Sequence, residues 1–97
     1  MNGQSAVPTV PNAQTGAMTV RFWAAARAAT GVETASVSPG DLAGVIASVV
    51  RKYPELSALL PRCSLLLDGV AVSRDHVSST LAPVGSTLEI LPPFAGG

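Results

Sequence analysis

One stretch of this 97-residue chain carries the period of a helix, and it is only about three turns long. Apolar residues recur at Leu42, Val45, Ile46, Val49, Val50 and Tyr53. That is the i, i+3, i+4, i+7 spacing of a single buried helix face. Pro54 stops the pattern, because its ring clashes with helical backbone and it has no N–H to donate. Upstream, Ser38-Pro39-Gly40-Asp41 reads as the entry, with Ser38 as N-cap, Pro39 at the first helical position and Asp41 at the third. One helix of this length has to be completed by strands.

The strands are short. Thr19 to Ala24 alternates, with Val20, Phe22 and Ala24 on one side and Arg21 and Trp23 on the other. Ala25 to Thr30 is alanine-rich and reads as a helical turn ended by Gly31. Glu33 to Val37 is a weaker second strand, so the two make a hairpin. After Pro54, Glu55 to Leu60 reads as a short turn whose Leu56, Leu59 and Leu60 cover one end of the core. Ser64 to Leu67 is a third strand, Asp68-Gly69 a strong turn signal, and Val70 to Val72 a short fourth strand. Ser73 to Gly85 is a polar loop with Leu81 as its apolar anchor. Ser86 to Leu91 is the last strand, Leu88 and Ile90 facing in, Glu89 and Leu91 facing out. Pro92-Pro93 ends it, because neither residue can donate to a ladder. Strands around one long helix, without βαβ alternation or internal repeat, predict an α+β domain: a mixed sheet curled over the helix. A last strand that pairs with the first in the middle of the sheet gives the ubiquitin-like β-grasp arrangement, over residues 18–91.

Residues 1–17 lack charge and periodicity and are rich in Asn, Gln, Gly, Pro, Ser and Thr. They read as a disordered tail, an extension the fold does not need, and Met18 could itself serve as a start. Charged residues make up 12% of the chain and the formal net charge is +0. Arg21, Arg27, Arg51, Arg62 and Arg74 are scattered and Lys52 is the one lysine, so no basic patch points to nucleic acid. With Cys63 alone, no intrachain disulfide can form. A reducing compartment follows. With no secretory signal in view and apolar runs too short to span a bilayer, the expectation is a cytoplasmic protein.

Side-chain chemistry is sparse. His76, the one histidine, lies in the polar loop with no partner to orient it. Cys63 has no second cysteine for a metal or redox pair and reads as a packed thiol. Asp41 and Asp68 are explained as helix-start and turn residues, and no other carboxylates pair. No metal site and no glycine-rich phosphate loop is expected, and no active site of its own.

What remains is the ending Leu91-Pro92-Pro93-Phe94-Ala95-Gly96-Gly97. The two prolines favour polyproline geometry and launch the tail away from the sheet. Four residues beyond Pro93 reach at most about 14 Å into a partner. Gly96 and Gly97, without Cβ, can pass a narrow channel. A carboxylate on Gly97 is ionised and a poor electrophile, with a reference pKa of about 3.3–3.7. Adenylation by ATP would give it a leaving group, and sulfide could then replace AMP to leave a thiocarboxylate.

At this point the chain resembles the small subunit of molybdopterin synthase, a ubiquitin-like sulfur carrier. The resemblance spans residues 18–97 and rests on Val20-Arg21-Phe22-Trp23-Ala24, on Arg27 and Gly31, on the Asp68-Gly69 turn, and above all on Leu-Pro-Pro-Phe-Ala-Gly-Gly at the end. It implies a β-grasp fold and a Gly97 that a ubiquitin-activating-like enzyme adenylates with ATP. A sulfur donor enzyme then loads it. The tail, Pro92 to Gly96, inserts into the large subunit, where sulfur passes to a cyclic pyranopterin phosphate to build a dithiolene. A heterotetramer with the large subunit is implied, with no cofactor bound by this chain. Two departures stand out. Pro83-Val84-Gly85-Ser86-Thr87 replaces the family's acidic turn, and Asp68 sits where asparagine is common. A carrier for thiamine, cysteine or tRNA thiolation, or a ubiquitin-like modifier joined to lysines, is the alternative.

Alternation also predicts a docking face. Trp23 and Leu91 point away from the helix and form one patch if the first and last strands are neighbours, with Ala71 at its edge and Arg21 nearby. The competing expectation is that residues 25–30 or the N-terminal tail fold over Trp23.

Overall fold

The alternation that begins at Met18 becomes the middle of a sheet. The computed structural model describes residues 16–93. In chain order the elements are β1 (Met18–Phe22), α1 (Ala24–Thr30), β2 (Thr34–Val37), β3 (Gly40–Asp41), α2 (Leu42–Lys52), β4 (Ser64–Leu67), β5 (Val70–Ala71), β6 (Leu81–Ala82) and β7 (Thr87–Leu91). Short 3₁₀ turns occupy Pro54–Ala58, Leu60–Arg62 and Arg74–Ser79.

Five strands form one sheet in the order β2-β1-β7-β4-β5, and β3 pairs with β6 separately. The first and last strands run parallel at its centre, with Val20 opposite Leu88 and Phe22 opposite Ile90. All other pairings are antiparallel. This is the expected α+β β-grasp.

The core lies between the sheet and α2. Val20, Phe22, Leu88 and Ile90 are buried from the sheet, and Leu42, Val45 and Val49 from the helix. Ile46, Val50 and Tyr53 pack at its margin. The Tyr53 ring meets Phe22 edge-on, with centroids 5.6 Å apart, a geometry that aromatic quadrupoles favour. Leu56 and Leu60 close one end, as expected, and Met18 joins the core at the start of β1. The Asp68-Gly69 hairpin holds both residues at positive φ, 49° and 84°, the pairing that a two-residue primed turn needs. Asp68 also accepts the Thr87 N–H through Oδ1 at 2.9 Å, tying the turn to β7.

Three local expectations are corrected. The α2 helix starts at Leu42, not at Pro39, and its N-cap is Asp41, whose side chain makes no capping bond. Gly40 and Asp41 instead pair with Ala82 and Leu81, and Thr80 accepts the Leu42 N–H at 2.9 Å. Strand pairing therefore outcompetes the local Ser-Pro entry signal. The loop anchor is Ala82, fully buried, while Leu81 points outward at 68% exposure. The first strand stops at Phe22, because Ala24 turns the backbone off the sheet with φ 49°.

The predicted tail over 1–17 lies outside the described residues except for Gly16 and Ala17. The Ala17 carbonyl accepts the Gly85 N–H at 2.9 Å. The predicted reactive tail over 92–97 is described only at Pro92 and Pro93.

Candidate functional site

The sheet face opposite α2 is ordered by strand register. Arg21 lies beside Glu89, Glu89 beside Leu66 and Leu66 beside Ala71. One step on, Leu91 pairs with Ser64, and the Trp23 backbone N–H donates to the Ile90 carbonyl at 3.2 Å. That bond keeps Trp23 alongside the end of β7. Because side chains alternate across a strand, all seven residues project from the outer face.

Trp23 and Leu91 thus come together as the alternation predicts, with Arg21 close by. The Arg21 guanidinium carbon sits 5.5 Å from the Trp23 ring centroid, within cation–π range. The indole Nε1–H donates to Glu89 Oε2 at 3.2 Å. Between Trp23 and the end of β7 runs a groove of about 350 Å³. Its apolar walls are Trp23, Ala24, Leu66, Leu91, Pro92 and Pro93, and Ser64 is its polar member.

The α1 helix does not cover Trp23. It buries Ala26 in the core, and Trp23 remains 41% exposed. The φ of 49° at Ala24 is responsible, since it swings the helix off the sheet immediately after the tryptophan. Ala71 is exposed on the same outward row but does not line the groove. Phe94, Ala95, Gly96 and Gly97 lie outside the described residues.

Leu66, Ser64 and Glu89 complete the site without having been singled out. Their signal was present in the alternation: once Leu65 and Leu88 face in, Ser64, Leu66 and Glu89 must face out. What the sequence lacked was the strand order that makes β4 the neighbour of β7.

Elsewhere the side chains are quiet. The Cys63 thiol is buried and donates to the Leu59 carbonyl at 3.2 Å. Burial pushes its pKa up, only partly offset by Arg74. A raised pKa lowers the thiolate fraction and opposes nucleophilic use. Arg74 donates to the carbonyls of Leu60 and Cys63, fastening the turn before β4. His76 is exposed beside a shallow, open hollow of about 410 Å³ next to β5. Among the described residues no three His, Cys, Asp or Glu side chains gather as metal ligands, and no helix is long and apolar enough to cross a membrane.

The fold and its outgoing last strand define a ubiquitin-like β-grasp protein. A model of the ThiS family matches residues 20–97, and the chain belongs to that family of ubiquitin-like sulfur carriers. No curated protein sequence matches it significantly. Among solved structures it is similar to small archaeal modifier protein 1 from Haloferax volcanii, at 20% identity over 84% of this chain and 100% of that one, with a TM-score of 0.73. The protein of that name from Methanosarcina acetivorans is 23% identical over 84% of this chain and 97% of that one, with a TM-score of 0.74. A chain in the complex of subunits 1 and 2 of molybdopterin-converting factor from Helicobacter pylori is 22% identical over 84% of this chain and 99% of that one, with a TM-score of 0.63. At such identities these likenesses speak for the fold alone.

Proposed function

We propose that this chain carries sulfur as a thiocarboxylate on Gly97 and delivers it to the large subunit of molybdopterin synthase. The observation that carries this reading is the junction at Leu91. There a central strand hands over to Pro92 and Pro93, which themselves line the outer groove, and the family match runs on to Gly97.

The chemistry balances without a catalytic side chain on this protein. A ubiquitin-activating-like enzyme joins the Gly97 carboxylate to the α-phosphate of ATP and releases pyrophosphate. Sulfide supplied by a donor enzyme then attacks the acyl carbon, the C–S bond forms, the C–O bond to the phosphate breaks, and AMP leaves the thiocarboxylate. ATP belongs to the activating partner and this chain holds no cofactor. In the large subunit the sulfur passes to a cyclic pyranopterin phosphate, in an assembly of two small and two large chains.

The groove supports this reading through reach. Gly97 is four residues past Pro93, at most about 14 Å. A partner that handles Gly97 works within that distance of Pro93, and Trp23, Leu66 and Leu91 offer it an apolar surface there. Arg21 and Ala71 sit at the margin of that contact.

The test removes the carboxylate. Deleting Gly97, or capping it as an amide, should abolish sulfur loading in a reconstituted adenylation reaction read by intact mass. The unfolding midpoint should not move, since Pro92 and Pro93 add no ladder bonds. A shortened chain that still takes up sulfur would refute the terminal-carboxylate mechanism. A second reading is conjugation of Gly97 to lysines, the kind of role that the name of the two similar archaeal modifier proteins describes for them. Isopeptide-linked products in the native cells, in place of free thiocarboxylate, would select it. A thiocarboxylate that the large subunit ignores would point to another thiolation pathway.

A further inference from the structure

The Trp23 indole stands at the lip of an apolar groove, 41% exposed, with Leu66, Leu91 and Pro92 beside it. The hydrophobic effect would favour laying the ring over Leu66 and Leu91, which would close the groove. Two polar contacts oppose that collapse. Glu89 Oε2 accepts the indole N–H at 3.2 Å, and the Arg21 guanidinium lies 5.5 Å from the ring centroid. Glu89 and Arg21 are direct neighbours across the central β1–β7 pairing, so the two contacts spring from one rigid point of the sheet.

We propose that Glu89 is a positioning residue of the docking site: it fixes the Trp23 indole as a wall of the groove, with Arg21 over the ring, and so keeps the groove beside Pro92-Pro93 open for the adenylating enzyme that takes the tail. This rests on the carrier reading for its purpose, and on described geometry for its mechanism. Glu89 itself stays outside the groove lining. Its effect is exerted through Trp23. A carboxylate is well suited, because a charged acceptor makes a stronger bond to an N–H than a neutral one. An apolar residue at this position would instead offer the indole a surface to lie on.

Trp23 is the only tryptophan, so its signals report on the groove without interference. The experiment compares wild type, Glu89→Ala and Glu89→Gln in the full chain. The first readout is on the free protein: hydrogen exchange of the indole N–H by NMR, with cross-peaks from the ring to Leu66 and Leu91. In Glu89→Ala the N–H should lose protection and the cross-peaks should strengthen as the ring folds down. Glu89→Gln keeps an acceptor oxygen and should restore most of the wild-type pattern. The second readout is calorimetric affinity for the adenylating enzyme. Glu89→Ala should weaken it about tenfold, and Glu89→Gln should stay within about threefold of wild type. An unchanged indole N–H in Glu89→Ala would overturn the proposal, as would normal affinity once the ring has collapsed. A wild type that binds no adenylating enzyme would sink the carrier reading, while the free-chain signals still decide whether Glu89 holds the ring.

Discussion

On the inner side of β1 and β7, Val20, Phe22, Leu88 and Ile90 are each at most 1% exposed. On the outer side of the same two strands, Trp23 is 41% exposed, and Arg21, Glu89 and Leu91 are half-buried. The backbone bonds serve both sides equally. The inner residues answer to volume and hydrophobicity, and another set filling the same space would fold as well. No packing requirement of the monomer calls for an indole, a guanidinium and a carboxylate in contact beside a groove. The proposed partner contact beside the end of β7 gives that arrangement a reason.

The largest effect is expected on the inner side. Phe22→Ala removes a ring that is 1% exposed and edge-on to Tyr53. It should cost about 3–5 kcal/mol in denaturant unfolding. A loss below about 1 kcal/mol would mean that the inner face is not the core of this domain.

Trp23→Ala should act in the opposite sense. Truncating a central aromatic at an interface costs about 2 kcal/mol or more in binding, roughly thirtyfold at 1.4 kcal/mol per decade. Affinity for the adenylating enzyme or large subunit should fall by that factor, while the unfolding free energy should change by no more than about 0.5 kcal/mol. A variant that binds normally but unfolds easily would place Trp23 with the core and move the docking face elsewhere.

The smallest effect sharpens the boundary between the two sides. Ala24 holds φ 49° where the chain leaves the sheet, and a left-handed conformation costs an alanine about 1–2 kcal/mol. Replacing it with glycine removes the Cβ conflict. Ala24→Gly should therefore stabilise the free protein by about 1 kcal/mol, less the added entropy of the unfolded chain. A net loss of stability would show that the alanine methyl contributes more as a groove wall than it costs as a strained turn.

Legibility followed the same division. The inner face was readable because period-2 and period-3.6 patterns are set by burial, and burial is what hydrophobicity records. Leu88, Ile90, Val20, Phe22 and the Leu42–Val49 stripe all lie where their spacing predicts. Trp23 and Leu91 were readable by elimination from that pattern. The site's other half was not, since Leu66 and Ser64 join it only through the order β1-β7-β4. Nothing local encodes which strands are neighbours. The β3–β6 pair failed for a related reason: two-residue strands carry no period, so Gly40-Asp41 looked like a helix entry and Leu81 looked like the anchor in place of Ala82.

The parallel pairing of β1 with β7 has a consequence in time. Residues 18–22 are made early and residues 87–91 late, yet they sit side by side at the sheet's centre. Within the main sheet β2 and β4 join this pair directly, and β5 joins it through β4. On the ribosome the early half must wait with Val20 and Phe22 unsatisfied, because the contact that buries them spans almost the whole domain. The domain can close only once β7 has emerged. An incomplete chain thus lacks the central pairing on which the sheet rests, and with it the outer face on which Trp23 and Leu91 meet.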